Sequence, residues 1–199
     1  MKTANIEERQ TTYAKYREGV IKRVMICAGT GCMANGSQDL YERFVQEIEK
    51  HGAKAIVRLD REEQGYLLSG SGCQGFCQMG PLVTILPEKI MYCQVKIQDV
   101  AELVAHSVLG NEIVERLLYK QPENGCSCRT VGDIPFYRMQ NRLILEKCGF
   151  IDPEDINEYI AGGGYKAARK AYTEMSGEEI CQTILDSGLR GRGGGGFPT

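Results

Sequence analysis

Apolar residues first gather at Ile21–Ile26 (IKRVMI), a run of strand length. Residues 1–19 (MKTANIEERQTTYAKYREG) are polar and charged throughout, a lead compatible with a helix but with little core of its own. From Asp39 onward, Leu40, Tyr41, Phe44, Val45 and Ile48 recur on one helical face, and Gly52 is a natural stop. Ala53–Leu59 predicts a second strand. Residues 69–81 (SGSGCQGFCQMGP) read as a loop. Leu82–Leu86 and Ile90–Val95 flank Pro87-Glu88-Lys89 and predict a hairpin. Val100, Leu103, Val104 and Val108 share one face of a helix over Asp99–Leu109. The order strand, helix, strand, loop, hairpin, helix predicts a compact α/β unit.

Beyond it the pattern changes. Residues 120–135 (KQPENGCSCRTVGDIP) have the composition of a linker. Residues 136–150 fit a strand or a helix equally. Asp152-Pro153 places an N-cap before a proline at the first helical position, with Ile156, Tyr159 and Ile160 facing inward and Gly162–Gly164 ending the helix. Ala167–Met175 continues helically. Ser176-Gly-Glu-Glu179 is a capping box that opens a helix through Ile180, Ile184 and Leu185, stopping at Ser187-Gly188. The expected organisation is a polar lead at 1–19, an α/β domain at 20–119, a linker at 120–135 and a mainly helical segment at 136–199.

Composition matters chiefly through cysteine. The chain has 199 residues, 24 Lys plus Arg against 26 Asp plus Glu, and nine cysteines. A formal net charge of −2 gives no electrostatic footprint for nucleic acid. No apolar run approaches the ~20 residues that span a bilayer, so direct membrane insertion is not expected. The polar N-terminus lacks the apolar core of a signal peptide, which predicts a cytoplasmic protein. Thiols stay reduced there, and an odd number cannot all pair within the chain, so metal or cluster ligation leads over disulfides.

Two pairs stand out: Cys27-x4-Cys32 and Cys73-x3-Cys77. Soft thiolates suit iron and its bridging sulfides, and two pairs supply two irons with two thiolates each. Gly29, Gly31, Gly72 and Gly75 let the backbone curl close, with N–H groups free to stabilise an added electron. Structural zinc is the rival; it usually takes Cys-x2-Cys knuckles. That spacing, which thiol–disulfide chemistry also prefers, is absent here. Spacing favours the cluster and leaves zinc open. Cys126 and Cys128 read as solvated linker thiols, and Cys93, Cys148 and Cys181 as packing residues.

With these motifs in view, residues 20–110 resemble the thioredoxin-like [2Fe–2S] ferredoxin family. Cys27-x4-Cys32 together with Gly72-Cys-Gln-Gly-Phe-Cys77-Gln-Met-Gly-Pro81 matches that family's ligand pattern. The resemblance implies an α/β thioredoxin-like [2Fe–2S] ferredoxin domain with its cluster on Cys27, Cys32, Cys73 and Cys77.

The C-terminal run Gly188-Leu-Arg-Gly-Arg-Gly-Gly-Gly-Gly-Phe-Pro-Thr199 follows a capped helix. Its glycines can present successive N–H groups to a phosphate, and its arginines supply positive charge. Asp133-Ile-Pro-Phe-Tyr137, Cys148–Ile160, Gly163-Gly-Tyr165 and Ser187–Thr199 resemble the opening of the flavin- and NADH-binding subunit of complex I and of related NAD-linked, often bifurcating, hydrogenases and formate dehydrogenases. In that family the loop holds FMN and the approaching nicotinamide. The resemblance carries this role to Gly191, Arg192, Gly193, Gly194, Gly195, Gly196 and Phe197. It implies that 136–199 is a truncated start of the FMN/NADH-binding domain, with the [4Fe–4S] ligands only beyond it.

These resemblances together predict an iron–sulfur electron-transfer segment of an NADH:acceptor oxidoreductase, relaying single electrons between FMN/NADH and partner redox centres. The implied partners are a small [2Fe–2S] subunit and a hydrogenase- or formate-dehydrogenase-type catalytic subunit. The alternative is a zinc-stabilised or cluster-vestigial docking module without electron transfer. NADH oxidation is not expected of these residues alone. A four-glycine loop is entropically costly to order, so disorder is expected over 189–199.

Overall fold

The computed structural model describes residues 5–199; residues 1–4 of the polar lead lie outside the described residues. The chain divides into two compact units, the second covering Gly162–Thr199.

In the first unit Asn5 caps α1, Ile6–Glu18, by accepting from the Glu7 and Glu8 N–H groups. β1 follows at Val20–Cys27, then a short helix α2, Thr30–Ala34, and α3, Ser37–Lys50. β2 is only Ala55–Ile56, and β3 is Gly65–Ser71. β4, Val83–Leu86, and β5, Ile90–Tyr92, form the expected hairpin. α4, Val100–Leu103, runs on through a π-helical turn at Val104–Val108. The five strands form one sheet in the order β2-β3-β1-β4-β5. β1 is parallel to β3 and antiparallel to β4.

Alternation along β1 separates two cores. Val24 and Ile26 join Leu40, Phe44 and Ile48 of α3 and Val100, Leu103, Val104 and Val108 of the α4 segment. These are the helical faces read from the sequence. Phe44 is fully buried, and truncating such a side chain costs about 3–5 kcal/mol. On the other face Cys27 joins Leu82, Met91, Cys93, Cys128, Val131, Ile134 and Tyr137.

Three expectations fail here. Residues 69–81 are not all loop, because Ser69–Ser71 complete β3, the parallel neighbour of β1. The second predicted strand shrinks to Ala55–Ile56. Residues 120–135 are not a linker. β6, Tyr119–Lys120, pairs with β7, Ser127–Cys128, and Leu118 and Thr130 bridge to Tyr92 and Ile90 of β5. Val131 and Ile134 are buried because they complete the second core. The first unit therefore runs on through α5, Pro135–Arg138, and α6, Ile156–Ala161.

α6 starts three residues later than its proline suggested. It turns Glu158 inward and leaves Ile156 and Tyr159 exposed, because Glu158 pairs with buried Arg23 of β1.

In the second unit lie α7, Lys166–Glu174, and α8, Gly177–Asp186, the latter opened by the predicted capping box of Ser176 and Glu179. Residues 189–199, where disorder was expected, have a described fold of their own. They close on themselves through Gly191 N–H to the Phe197 carbonyl at 2.8 Å and an Arg190–Pro198 bridge. Among the described residues no helix is long and apolar enough to cross a membrane.

Candidate functional site

The parallel pairing of β1 with β3 builds the site. Cys27 is the last residue of β1 and stands in register with Ser71, the last of β3. The chain leaves both strands at the same edge of the sheet, so the two cysteine loops emerge side by side. Ala28 N–H donates to the Ser71 carbonyl at 3.0 Å, and Cys27 N–H to the Leu82 carbonyl at 3.0 Å. Cys32 sits on α2, where a plain loop was expected. Cys77 opens a 3-10 turn, Cys77–Met79.

Glycines let the loops meet. A Cβ on Gly29 would stand 3.0 Å from Cys73 Sγ, one on Gly80 2.7 Å from Cys32 Sγ, and one on Gly31 3.8 Å from Cys77 Sγ. A methyl group at Gly29 or Gly80 would occupy space the sulfurs use.

The four thiols meet as two pairs. Burial, then the Cys27 thiol beside it, pushes Cys32 up to about 12; Cys77 contributes a smaller push. The Cys73 thiol raises Cys77, with Cys27 adding a weaker push. Cys27 and Cys32 are buried, and Cys73 and Cys77 are exposed. Among the described residues no three Cys, His, Asp or Glu groups are arranged around a single ion. Two irons bridged by sulfides need two pairs, each with its own metal. The donor set, the pairing and the glycine cradle fit a [2Fe–2S] cluster.

The other cysteines divide differently from expectation. Cys126 is exposed, but Cys128 is buried and its thiol lies 3.4 Å from the Asp133 carbonyl. Cys93 is buried beside the site, as packing requires. Cys148 lies near Gly72, 3.8 Å from where a Cβ there would stand. Cys181, expected to pack, is exposed on α8.

Sequence reasoning missed Gly80, Gln74 and Tyr137. Gly80 precedes Pro81 and read as part of a loop; Gln74, between Cys73 and Cys77 in the chain, is buried. Tyr137 is buried, and its hydroxyl donates to the Gln74 carbonyl at 3.2 Å. Tyr137 was signalled by its place in the Asp133-Ile-Pro-Phe-Tyr137 stretch, but as part of the flavin-subunit resemblance and not as a neighbour of the cysteine loops.

The glycine loop lies in the second unit. Arg190 Nε donates to the Gly196 carbonyl at 2.7 Å. Gly194 and Gly196 have φ of 107° and 60°, which favour glycine. Phe197 is exposed, and its ring lies 2.8 Å from where a Cβ on Gly195 would stand.

Residues 1–107 match the family described as thioredoxin-like [2Fe-2S] ferredoxin. A 2Fe-2S ferredoxin of Aquifex aeolicus is 31% identical over 87 residues, which are 44% of this chain and 71% of the ferredoxin. The HndC component of an NADP-reducing hydrogenase from Solidesulfovibrio fructosivorans is 50% identical over 62 residues, 31% of this chain and 12% of that component. A component of the Aquifex aeolicus NADH-quinone oxidoreductase is 57% identical over 57 residues, 29% of this chain and 13% of that component. The chain thus spans a small part of the two larger relatives.

Proposed function

Because this chain belongs to the thioredoxin-like [2Fe–2S] ferredoxin family, we propose that Cys27, Cys32, Cys73 and Cys77 hold its [2Fe–2S] cluster and that it relays single electrons within an NADH-oxidising enzyme. The observation that carries the ligand assignment is the meeting of two thiol pairs across Gly29, Gly31 and Gly80. When bound, such a cluster takes up and releases one electron at a time. Cys27 and Cys32, buried on β1 and α2, anchor the site in the core. Cys73 and Cys77 are exposed and form the edge that a partner's redox centre approaches. Leu82, Met91 and Tyr137 line the inner side and exclude water.

The second part of the reading concerns residues 189–199. Gly191–Gly196 present backbone donors, Arg192 adds charge, and Phe197 offers an exposed ring. This suits a contribution to an FMN and NADH site when the flavin-binding remainder of such a protein is present. The likeness to the hydrogenase and NADH-quinone oxidoreductase components supports it. Partners would then be other redox subunits of a multi-subunit oxidoreductase.

Metal and acid-labile sulfide analysis of the anaerobically purified chain tests the first part. About two irons and two sulfides are expected, by the four-thiolate stoichiometry, with a red-brown spectrum that Cys73→Ser or Cys77→Ser abolishes or shifts. A colourless protein with zinc and no sulfide would replace this reading with the docking module.

A further inference from the structure

The loop bearing Cys73 and Cys77 is gripped by residues well beyond the stretch that matches the ferredoxin family, which ends at 107. Phe76 stacks on Phe136 with ring centroids 4.9 Å apart and planes 10° from parallel, and meets Tyr137 edge-on at 5.7 Å. Tyr137 donates to the Gln74 carbonyl at 3.2 Å. Arg142 Nη2 donates to the same carbonyl at 3.4 Å, with its guanidinium 5.4 Å from the Tyr137 ring centroid. The Gln74 side chain donates to Ser71 Oγ at 3.1 Å and packs 3.2 Å from where a Cβ on Gly149 would stand. Cys148 meets Gly72. Residues 136–149 therefore touch Gly72, Gln74 and Phe76, which surround Cys73 and lead to Cys77.

We propose that Tyr137 and Arg142 are positioning residues for the electron-transfer site: they pin the Cys73–Cys77 loop through one carbonyl, and Arg142 sets a fixed positive charge beside it. The segment 136–149 thereby governs how readily the site accepts an electron and how firmly it keeps its metal. The proposal rests on the assignment of Cys73 and Cys77 as ligands.

Charge and hydrogen bonding around a cluster set its potential. A cation close to an added electron stabilises it, and more so where water is scarce. Arg142 Nε is buried without a hydrogen-bond partner among the described residues. Burial raises the Tyr137 hydroxyl above its ordinary value, so it stays a donor. Two donors on one backbone carbonyl remove freedom from a loop whose three residues between the ligands include Gly75 in a left-handed conformation.

The test uses the 199-residue chain and the variants Arg142→Gln, Arg142→Lys and Tyr137→Phe. Iron and sulfide content, the EPR spectrum of the reduced protein, the midpoint potential and the rate of bleaching by a chelator are measured for each. All three variants are expected to hold wild-type iron and sulfide. Arg142→Gln is expected to lower the equilibrium constant for reduction about three- to tenfold, at about 59 mV per tenfold for one electron. Arg142→Lys should restore most of that shift, and Tyr137→Phe should bleach several-fold faster. An unmoved potential in Arg142→Gln, or an unmoved bleaching rate in Tyr137→Phe, with iron and sulfide intact, overturns the proposal. A wild-type chain lacking iron and sulfide overturns the ligand assignment and this proposal with it.

Discussion

Arg23 and Glu158 lie 135 positions apart and form a two-point ion pair in the interior, at 2.5 and 2.8 Å. Each side chain is 4% exposed. Ser69 Oγ accepts from the same guanidinium at 3.1 and 2.8 Å, and Glu158 also takes the Asp152 N–H at 2.8 Å. The pair fastens α6 to β1. Removing one partner of a buried pair leaves a charge uncompensated, at about 3–5 kcal/mol. Glu158→Ala should lower unfolding stability by that order in urea titration, while Arg23→Met with Glu158→Leu recovers most of the loss. A single variant as stable as wild type would mean that α6 is not docked as described.

The glycine cradle gives a second expectation. Gly80→Ala places a methyl group 2.7 Å from Cys32 Sγ. Iron content should fall well below that of wild type while the far-ultraviolet circular dichroism stays unchanged. Gly177→Ala, whose added carbon would meet nothing within 4 Å, serves as the control and should keep its iron. Full iron loading of Gly80→Ala would show that the loops have room to spare.

Thiol chemistry reports on the β6–β7 hairpin. Burial pushes Cys93 up to about 12, so near pH 8 it stays protonated and inert. Cys128 is shielded, whereas Cys126 and Cys181 are exposed. Iodoacetamide at pH 8 should label Cys126 and Cys181 in native protein, and Cys93 and Cys128 only after unfolding. Labelling of Cys128 at the rate of Cys126 would mean the hairpin does not pack.

Glu47 makes part of the stability depend on acid. Its carboxylate accepts from Lys50 and Arg43, each at 2.8 Å, and His51 stands 3.8 Å away. The Lys50 hydrogen bond, ahead of the Arg43 and His51 charges, holds it below the usual carboxylate range. A depressed folded value means the stabilisation is complete above the unfolded value, about 4.3, and is lost as pH falls through the folded one. Urea midpoints of wild type should drop below about pH 4.3 more steeply than those of Glu47→Gln. Equal slopes would remove Glu47 from the account of acid sensitivity.

Much of the fold was legible because burial was one-sided and periodic. Leu40, Phe44 and Ile48 could only be one face of a helix, and Leu82–Leu86 with Ile90–Val95 could only turn back on each other. The two cysteine pairs that the structure brings to one edge of the sheet stood out by spacing, and the ligand role proposed for them rests on that spacing and on the resemblance. β3 was lost because its Gly65, Gly70 and two serines look like turn chemistry. Only the structure shows that Ser69 is buried to receive Arg23. Ile156 and Tyr159 were misplaced for the same reason: the carboxylate of Glu158 faces inward in their stead only because a distant arginine pairs with it. Residues 120–135 misled through composition, since their Pro, Gly and Asn occupy the turn while Cys128, Val131 and Ile134 carry the packing.

That misread stretch also bears on solubility. β5 is the last strand on its side of the sheet, and an uncovered edge offers unpaired N–H and C=O groups to any other chain. Here Met91 N–H donates to the Arg129 carbonyl at 3.2 Å and Cys93 N–H to the Leu117 carbonyl at 2.8 Å. The return of the backbone over β5 thus closes an open template. A chain cut after residue 110 would leave that template bare beside an apolar patch of Met91, Cys93 and Leu82. Such a fragment would be prone to pair with its own copies edge to edge, whatever its cluster content.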